Sequence, residues 1–201
     1  MTCRPSRRPA SGLAGAASVR EDHRMGLSFQ LDPVLTAALR TAVLGLWVDA
    51  SNAGGAIGFV APVTVDEVRP VAEATFDAVA DGPDRLLVGV EDDRVVAAVF
   101  IVDNRFVLKD HWRVLRRVMV APDRQRRGYG AALMREAAVV GTRMGLTGLQ
   151  LTARAGLDLE TFYAKQGYRE IGRIPGSLRI GPGDDRDEII MWLDLAPGSL
   201  D

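Results

Sequence analysis

The chain has 201 residues, 47% of them hydrophobic and 25% charged, an ordinary balance for one domain with a sizeable core. Its formal net charge of -1 supplies no global basic field, which argues against nucleic acid as a partner. Cys3 is the single cysteine and His23 and His111 are the two histidines, so an internal disulfide is excluded and no metal site is expected. No apolar run approaches the ~20 residues of a membrane span, and the expectation is a soluble, cytoplasmic chain with no membrane partner.

Residues 1–26 are rich in Arg, Ala, Ser and Gly and lack apolar periodicity. Basic and small residues occur in targeting segments, but the apolar stretch of a secretory signal is missing. The expectation is a disordered tail, with Met25 a second candidate start of translation and a single domain over 27–201. In that domain Asp32 and Pro33 are read as the N-cap and first turn of a helix. Leu35, Leu39, Val43, Leu46 and Ala50 recur at helical spacing behind them. The glycine-rich stretch "SNAGGAIGF" ends that helix. "TVDE", Thr64 to Glu67, has the form of a capping box and opens a second helix running to about Asp81.

"RLLVGVE" and "VVAAVFIV" read as two strands of a hairpin turning at Asp92 and Asp93, and "WRVLRRVMV" as a third strand stopped by Pro122. A helix follows, with Leu133, Ala137, Val140 and Met144 on one face and Gly145 at its end. "LTGLQLTAR" gives another strand. "DLETFYAKQGY" gives a short helix with Asp158 as N-cap and Gly167 as its end. Two strands near 168–174 and 187–195 close the domain around the turn residues "GPGDDR".

The most informative stretch is "APDRQRRGYGAALM", Ala121 to Met134. Gly128 and Gly130 stand where a helix begins, although glycine costs ~1 kcal/mol relative to alanine in a helix. Unpaired N–H groups and the positive end of the macrodipole make a helix N-terminus a site for phosphate. Glycine removes the Cβ that would keep an anion from the backbone. A dinucleotide fingerprint would need a third small residue where Leu133 stands, and a P-loop would need Gly-Lys-Ser/Thr, which is absent.

"QRRGYGA" instead fits a Gln/Arg-x-x-Gly-x-Gly/Ala signature, preceded by "RRVMVAP" and followed some thirty residues later by "FYAKQGY". With these motifs the chain resembles the GNAT superfamily of acyl-CoA-dependent N-acetyltransferases over roughly Gln30 to Leu195. "GGAIGF", "LTARAG", "FYAKQGY" and "GRIPG" look like its tabtoxin-resistance branch. The resemblance implies an α/β (α+β) fold with a mixed, mostly antiparallel central sheet of about six or seven strands and about four helices. It implies acetyl-CoA as cosubstrate. Gln125, Arg126, Arg127, Gly128, Tyr129, Gly130 and Ala131 would hold the pyrophosphate, and backbone groups of Val118, Met119 and Val120 would hold the pantetheine arm. Tyr163 matches the family's general acid, a phenol able to protonate the departing thiolate.

The general base is not readable. Val114 and Leu115 occupy the region where many relatives carry a glutamate, and Thr152 stands where the tabtoxin-resistance branch carries an aspartate. Asp49, Asp110, Glu160, His111 and a water relay stay open. The acceptor pocket is expected around Trp47 to Phe59, with Phe59 as a candidate lining residue and Trp47 in the core. The expected activity is N-acetylation of a small-molecule amine. An acyl-CoA sensor without turnover and an acetyltransferase of protein N-termini or lysines are the alternatives. Thiol release with an amine panel separates catalyst from sensor, and a peptide panel separates the two catalysts. A homodimer is one open assembly.

Overall fold

Strand β4, Arg94–Val102, buries six consecutive residues from Val96 to Ile101. So long an apolar run demands cover on both faces of its sheet, and the remaining elements supply it. The computed structural model describes residues 19–22 and 26–195. Within them β1 (Val19–Asp22) and β2 (Leu27–Leu31) precede α1 (Ala37–Asn52) and α2 (Val65–Asp81). β3 (Arg85–Glu91), β4 and β5 (Trp112–Val120) follow, then α3 (Tyr129–Arg143), β6 (Gly148–Arg154), α4 (Leu159–Ala164), β7 (Arg169–Gly181) and β8 (Asp184–Asp194). The strands form one sheet in the order β1-β2-β3-β4-β5-β6-β8-β7. Every neighbouring pair is antiparallel except β5 and β6, which run parallel through the α3 crossover. This is the mixed, mostly antiparallel sheet expected, with eight described strands and four α-helices.

On one face the Phe100 ring lies 6.1 Å from Trp47 of α1 and 6.2 Å from Phe76 of α2. All three side chains are fully buried, each worth about 1.5–3 kcal/mol. The other face of β4 and β5 is packed by α3 through Leu133, Met134 and Ala137.

Several elements form for the reasons read from sequence. Thr64 accepts from the Glu67 N–H while the Glu67 carboxylate accepts from the Thr64 N–H at 2.7 Å, a complete capping box. Asp92 and Asp93 both take positive φ, 48° and 59°, as a two-residue hairpin turn requires.

Four expectations change. Thr36, not Asp32, caps α1, accepting from the Leu39 N–H. The Asp32 carboxylate is engaged across the sheet instead, accepting from the Leu86 N–H at 3.1 Å and pairing with Arg85 at 2.7 Å. Asp158 sits at the cap position of α4, but its side chain makes no cap hydrogen bond. The final hairpin is longer than expected, its turn reduced to Pro182 and Gly183 because the acidic and basic residues around it pair across the strands, as Arg179 does with Asp185 at 2.8 Å. Finally, β1 pairs with β2 from Val19↔Gln30 to Asp22↔Leu27, so paired backbone begins before the boundary drawn at residue 27. The rest of the expected tail, residues 1–18 and 23–25, lies outside the described residues, as do Cys3 and His23.

Candidate active site

The parallel pairing of β5 with β6 is brief. It runs from Trp112↔Gly148 to Val114↔Gln150 and then stops. Beyond it β5 stays paired to β4 and β6 to β8, so the facing edges of Leu115–Val120 and Leu151–Arg154 part toward their carboxyl ends. A cleft of about 630 Å³ opens there, at the end of a parallel pair where α/β sheets bind ligands. A β-bulge widens it. Met119 pairs with Ala98 and Arg116 with Phe100, leaving Arg117 and Val118 opposite the single residue Val99. Arg117 takes φ 56° and, with Val118, reaches the cleft.

The stretch singled out in the sequence closes one end. After β5 the chain turns through a 3-10 turn at Pro122–Arg124, and the Gln125 side chain donates back to the Val120 carbonyl at 3.3 Å. Arg126 and Gly128 then take φ 58° and 90°, and α3 begins at Tyr129. The first turn of α3 opens with the Ala132 N–H bonded to the Gly128 carbonyl, and the N–H groups of Tyr129 and Gly130, at the helix N-terminus, precede any partner within the helix. The backbone at Gly130 lies so near Phe162 that a Cβ there would stand 3.2 Å from the ring. Exposed amides, a helix N-terminus and a glycine-bared backbone fit a diphosphate.

Tyr129 and Arg124 fasten this turn to the sheet. The Tyr129 hydroxyl and the Arg124 guanidinium both donate to the Glu91 carboxylate at the end of β3. Arg124 and Arg94 also hold Asp123, at 2.8 and 2.7 Å. The Tyr129 and Arg124 hydrogen bonds hold the Glu91 carboxyl below the usual carboxylate range, and the same bond raises the Tyr129 phenol. Of the three arginines before the helix, Arg124 is therefore structural and Arg126 lines the cleft, while Arg127 is exposed outside it.

Tyr163 of α4 faces the same cleft from across the gap. It is buried between Phe162 and Tyr168, with ring centroids 5.1 and 6.0 Å away. Burial pushes its phenol up from the ordinary value, so at neutral pH it is a neutral O–H donor.

The structure thus brings Val118, Val120, Gln125, Arg126, Gly128, Gly130, Ala131 and Tyr163 to one cavity. The Met119 side chain is buried behind it, and Tyr129 is turned to Glu91. Phe59 does not line the cleft; it packs edge-on against Trp47 at 6.1 Å. Trp47 is in the core as expected, its indole donating to the Ile57 carbonyl at 3.1 Å. Thr152 lines the cleft, whereas Asp49, Asp110, His111 and Glu160 do not. Among the described lining residues there is no Asp, Glu or His. Arg117 is the charged lining residue that sequence reasoning missed, beside apolar ones such as Leu157 and Phe162. The signal was two adjacent arginines in the middle of an apolar strand, one of which strand alternation must turn inward.

A split parallel seam leading to a bare helix N-terminus is a geometry that a long, diphosphate-bearing thioester donor would fit. The comparisons agree: residues 59–168 match the model of the Acetyltransferase (GNAT) family, and the chain belongs to that family. By that match it is grouped with acetyltransferases.

Solved structures share the fold at low identity. A protein provisionally described as a phosphinothricin N-acetyltransferase superposes with a TM-score of 0.68 at 16% identity, over 84% of this chain and 99% of that one. An N-acetyltransferase from Staphylococcus aureus Mu50 gives 0.67 at 15%, over 83% and 98%. The yncA protein of Salmonella typhimurium, solved with its cofactor acetyl-CoA, gives 0.64 at 19%, over 83% and 94%.

Proposed function

We propose that this protein transfers the acetyl group of acetyl-CoA to a primary amine of a small molecule, by direct attack while both are bound. One observation carries the reading: a single cleft joins the start of α3, the free edge of β5 and Tyr163. Acetyl-CoA supplies an activated acyl carbon and a thiolate leaving group. The N–H groups from Gly128 to Ala131 hold its diphosphate, and Arg126 adds charge beside them. The edge of Val118 to Val120 takes the pantetheine arm as an added strand. This places the reacting carbon before Tyr163. A C–N bond forms as the C–S bond breaks, and the Tyr163 hydroxyl donates its hydrogen bond and proton toward the departing sulfur. The amine gives up its own proton to water, since no carboxylate or imidazole lines the cleft among the described residues.

The solved relative described as a phosphinothricin N-acetyltransferase supports a small acceptor. The shape of the cleft supports it too, with the loop from Ala53 to Ile57 lying along it and the Arg154 guanidinium donating to the Gly54 carbonyl at 3.3 Å. A likeness to the tabtoxin-resistance branch is part of this reading. The absence of a lining carboxylate favours the second reading, an acyl-CoA sensor without turnover. Thiol release from acetyl-CoA with a panel of small amines decides between them: turnover above the amine-free rate supports the transferase, and tight coenzyme A binding with none supports the sensor.

A further inference from the structure

Arg117 is the cleft-lining cation that the diphosphate reading leaves without a role. The bulge aims it away from the run of β5. It lies 5.0 Å over the Trp47 ring, which is itself fixed by its bond to Ile57. It also lies close to Gly58, where a Cβ would stand 3.0 Å from Cζ and Nη1. The side chain is therefore half-buried, close to an aromatic ring and a glycine backbone.

Among the described residues no hydrogen bond or ion pair reaches that guanidinium. Arg113, four residues earlier on the same strand, pairs with Asp103 at 2.7 Å. The cation–π contact is worth about 0.5–2 kcal/mol and satisfies none of the N–H donors. Burial and the neighbouring Arg116 charge pull the Arg117 pKa below that of a free arginine, as expected for a cation lacking an anion. An oriented, partly dehydrated fork of donors matches an oxyanion of a ligand.

We propose that Arg117 binds an anionic group of the acceptor, so that the amines this protein acetylates are amino acids or analogues carrying a carboxylate, phosphinate or phosphonate. The assignment rests on the transferase reading for its name of acceptor, but not for the binding site itself. Arg126 lines the cleft beside the start of α3, and Arg117 lines it with Ile57, its guanidinium close to Trp47 and Gly58, which lie outside the lining.

The test uses full-length protein with coenzyme A and paired amines: amino acids, their carboxamides and their decarboxylated counterparts. Thiol release is measured with acetyl-CoA, and calorimetric titration of each amine into the coenzyme A-loaded protein gives binding. The expected result is a preference of about tenfold or more for the anionic member of each pair, the worth of one charge-assisted hydrogen bond. The preference collapses in Arg117→Gln, returns in part in Arg117→Lys, and leaves coenzyme A affinity unchanged in both. Anion-dependent binding lost in Arg117→Gln with no turnover would uphold the site while removing the transferase reading. Equal or better use of the neutral amines, or a preference undiminished in Arg117→Gln, overturns the proposal and leaves the transferase standing. A loss of coenzyme A affinity in both variants without a change in acceptor preference also overturns it, because it assigns the arginine to a phosphate of the nucleotide. Failure of the protein to bind or acetylate any member of the panel overturns it as well.

Discussion

The hydroxyl of Tyr129, the first residue of α3, donates to the carboxylate of Glu91 at the last residue of β3. This one bond ties the helix end proposed to hold the diphosphate to a hairpin in the middle of the sheet. Arg124 binds the second Glu91 oxygen, so both sides of the turn hang on one side chain.

Glu91→Gln is therefore expected to weaken coenzyme A binding several-fold and to lower the melting temperature at neutral pH. The sign with pH follows from the shifts. The Glu91 carboxyl lies below its unfolded value of about 4.3, so its contribution is full above that value and is lost as pH falls through the lower, folded one. The Tyr129 phenol is raised, so its contribution is full below about pH 10 and is lost as pH climbs through the raised value. The stability gap between wild type and variant should be flat in the neutral range and close at both extremes. Melting curves showing the same gap at every pH would contradict this.

Tyr163→Phe keeps the ring between Phe162 and Tyr168 and removes only the donor. We expect kcat to fall by about 10²-fold, the usual worth of a positioned acid, with coenzyme A affinity nearly intact by calorimetry. An unchanged kcat would remove Tyr163 from the chemistry.

Gly128 holds φ 90°, a conformation that a β-branched residue adopts only under strain. Gly128→Val should cost about 1–2 kcal/mol of stability and also obstruct the approach of an anion to the turn. Coenzyme A affinity should drop by more than that of Glu91→Gln. Equal affinities of wild type and Gly128→Val by titration would refute the anion cradle.

With water as the proton acceptor, the amine's own ionisation controls the rate. The logarithm of kcat/KM should rise with unit slope and level off at the pKa of each amine, moving as the amine is changed. A bend at one fixed pH for amines of different pKa would instead reveal a base on the protein.

Short-range chemistry was the legible part of this chain. The Thr64–Glu67 capping box, the Asp92–Asp93 turn and the glycines at the start of α3 each depend on residues within one turn of each other, and each stands where the sequence placed it. What escaped notice depends on distant strands. Asp32 looked like a cap because nothing nearby says that Arg85 and the Leu86 amide will claim its carboxylate. β1 and β2 are four and five residues long, and they gain their identity by pairing, β1 with β2 and β2 with β3. The bulge at Arg117 exists only against the register of β4, so "WRVLRRVMV" read as a plain strand and its inward cation went unseen. Phe59 lies beside the glycine-rich loop in sequence, yet Trp47 takes its ring.

The central claim is that backbone amides at the start of α3 fix the donor's diphosphate and so determine where its thioester lies. A crystal structure of the protein with acetyl-CoA tests it most directly. The account predicts diphosphate oxygens within hydrogen-bonding distance of the N–H groups between Gly128 and Ala131, with the pantetheine along Val118 to Val120 and its sulfur beside the Tyr163 hydroxyl. A nucleotide seated away from that turn, with the β5–β6 cleft left to solvent, would contradict it.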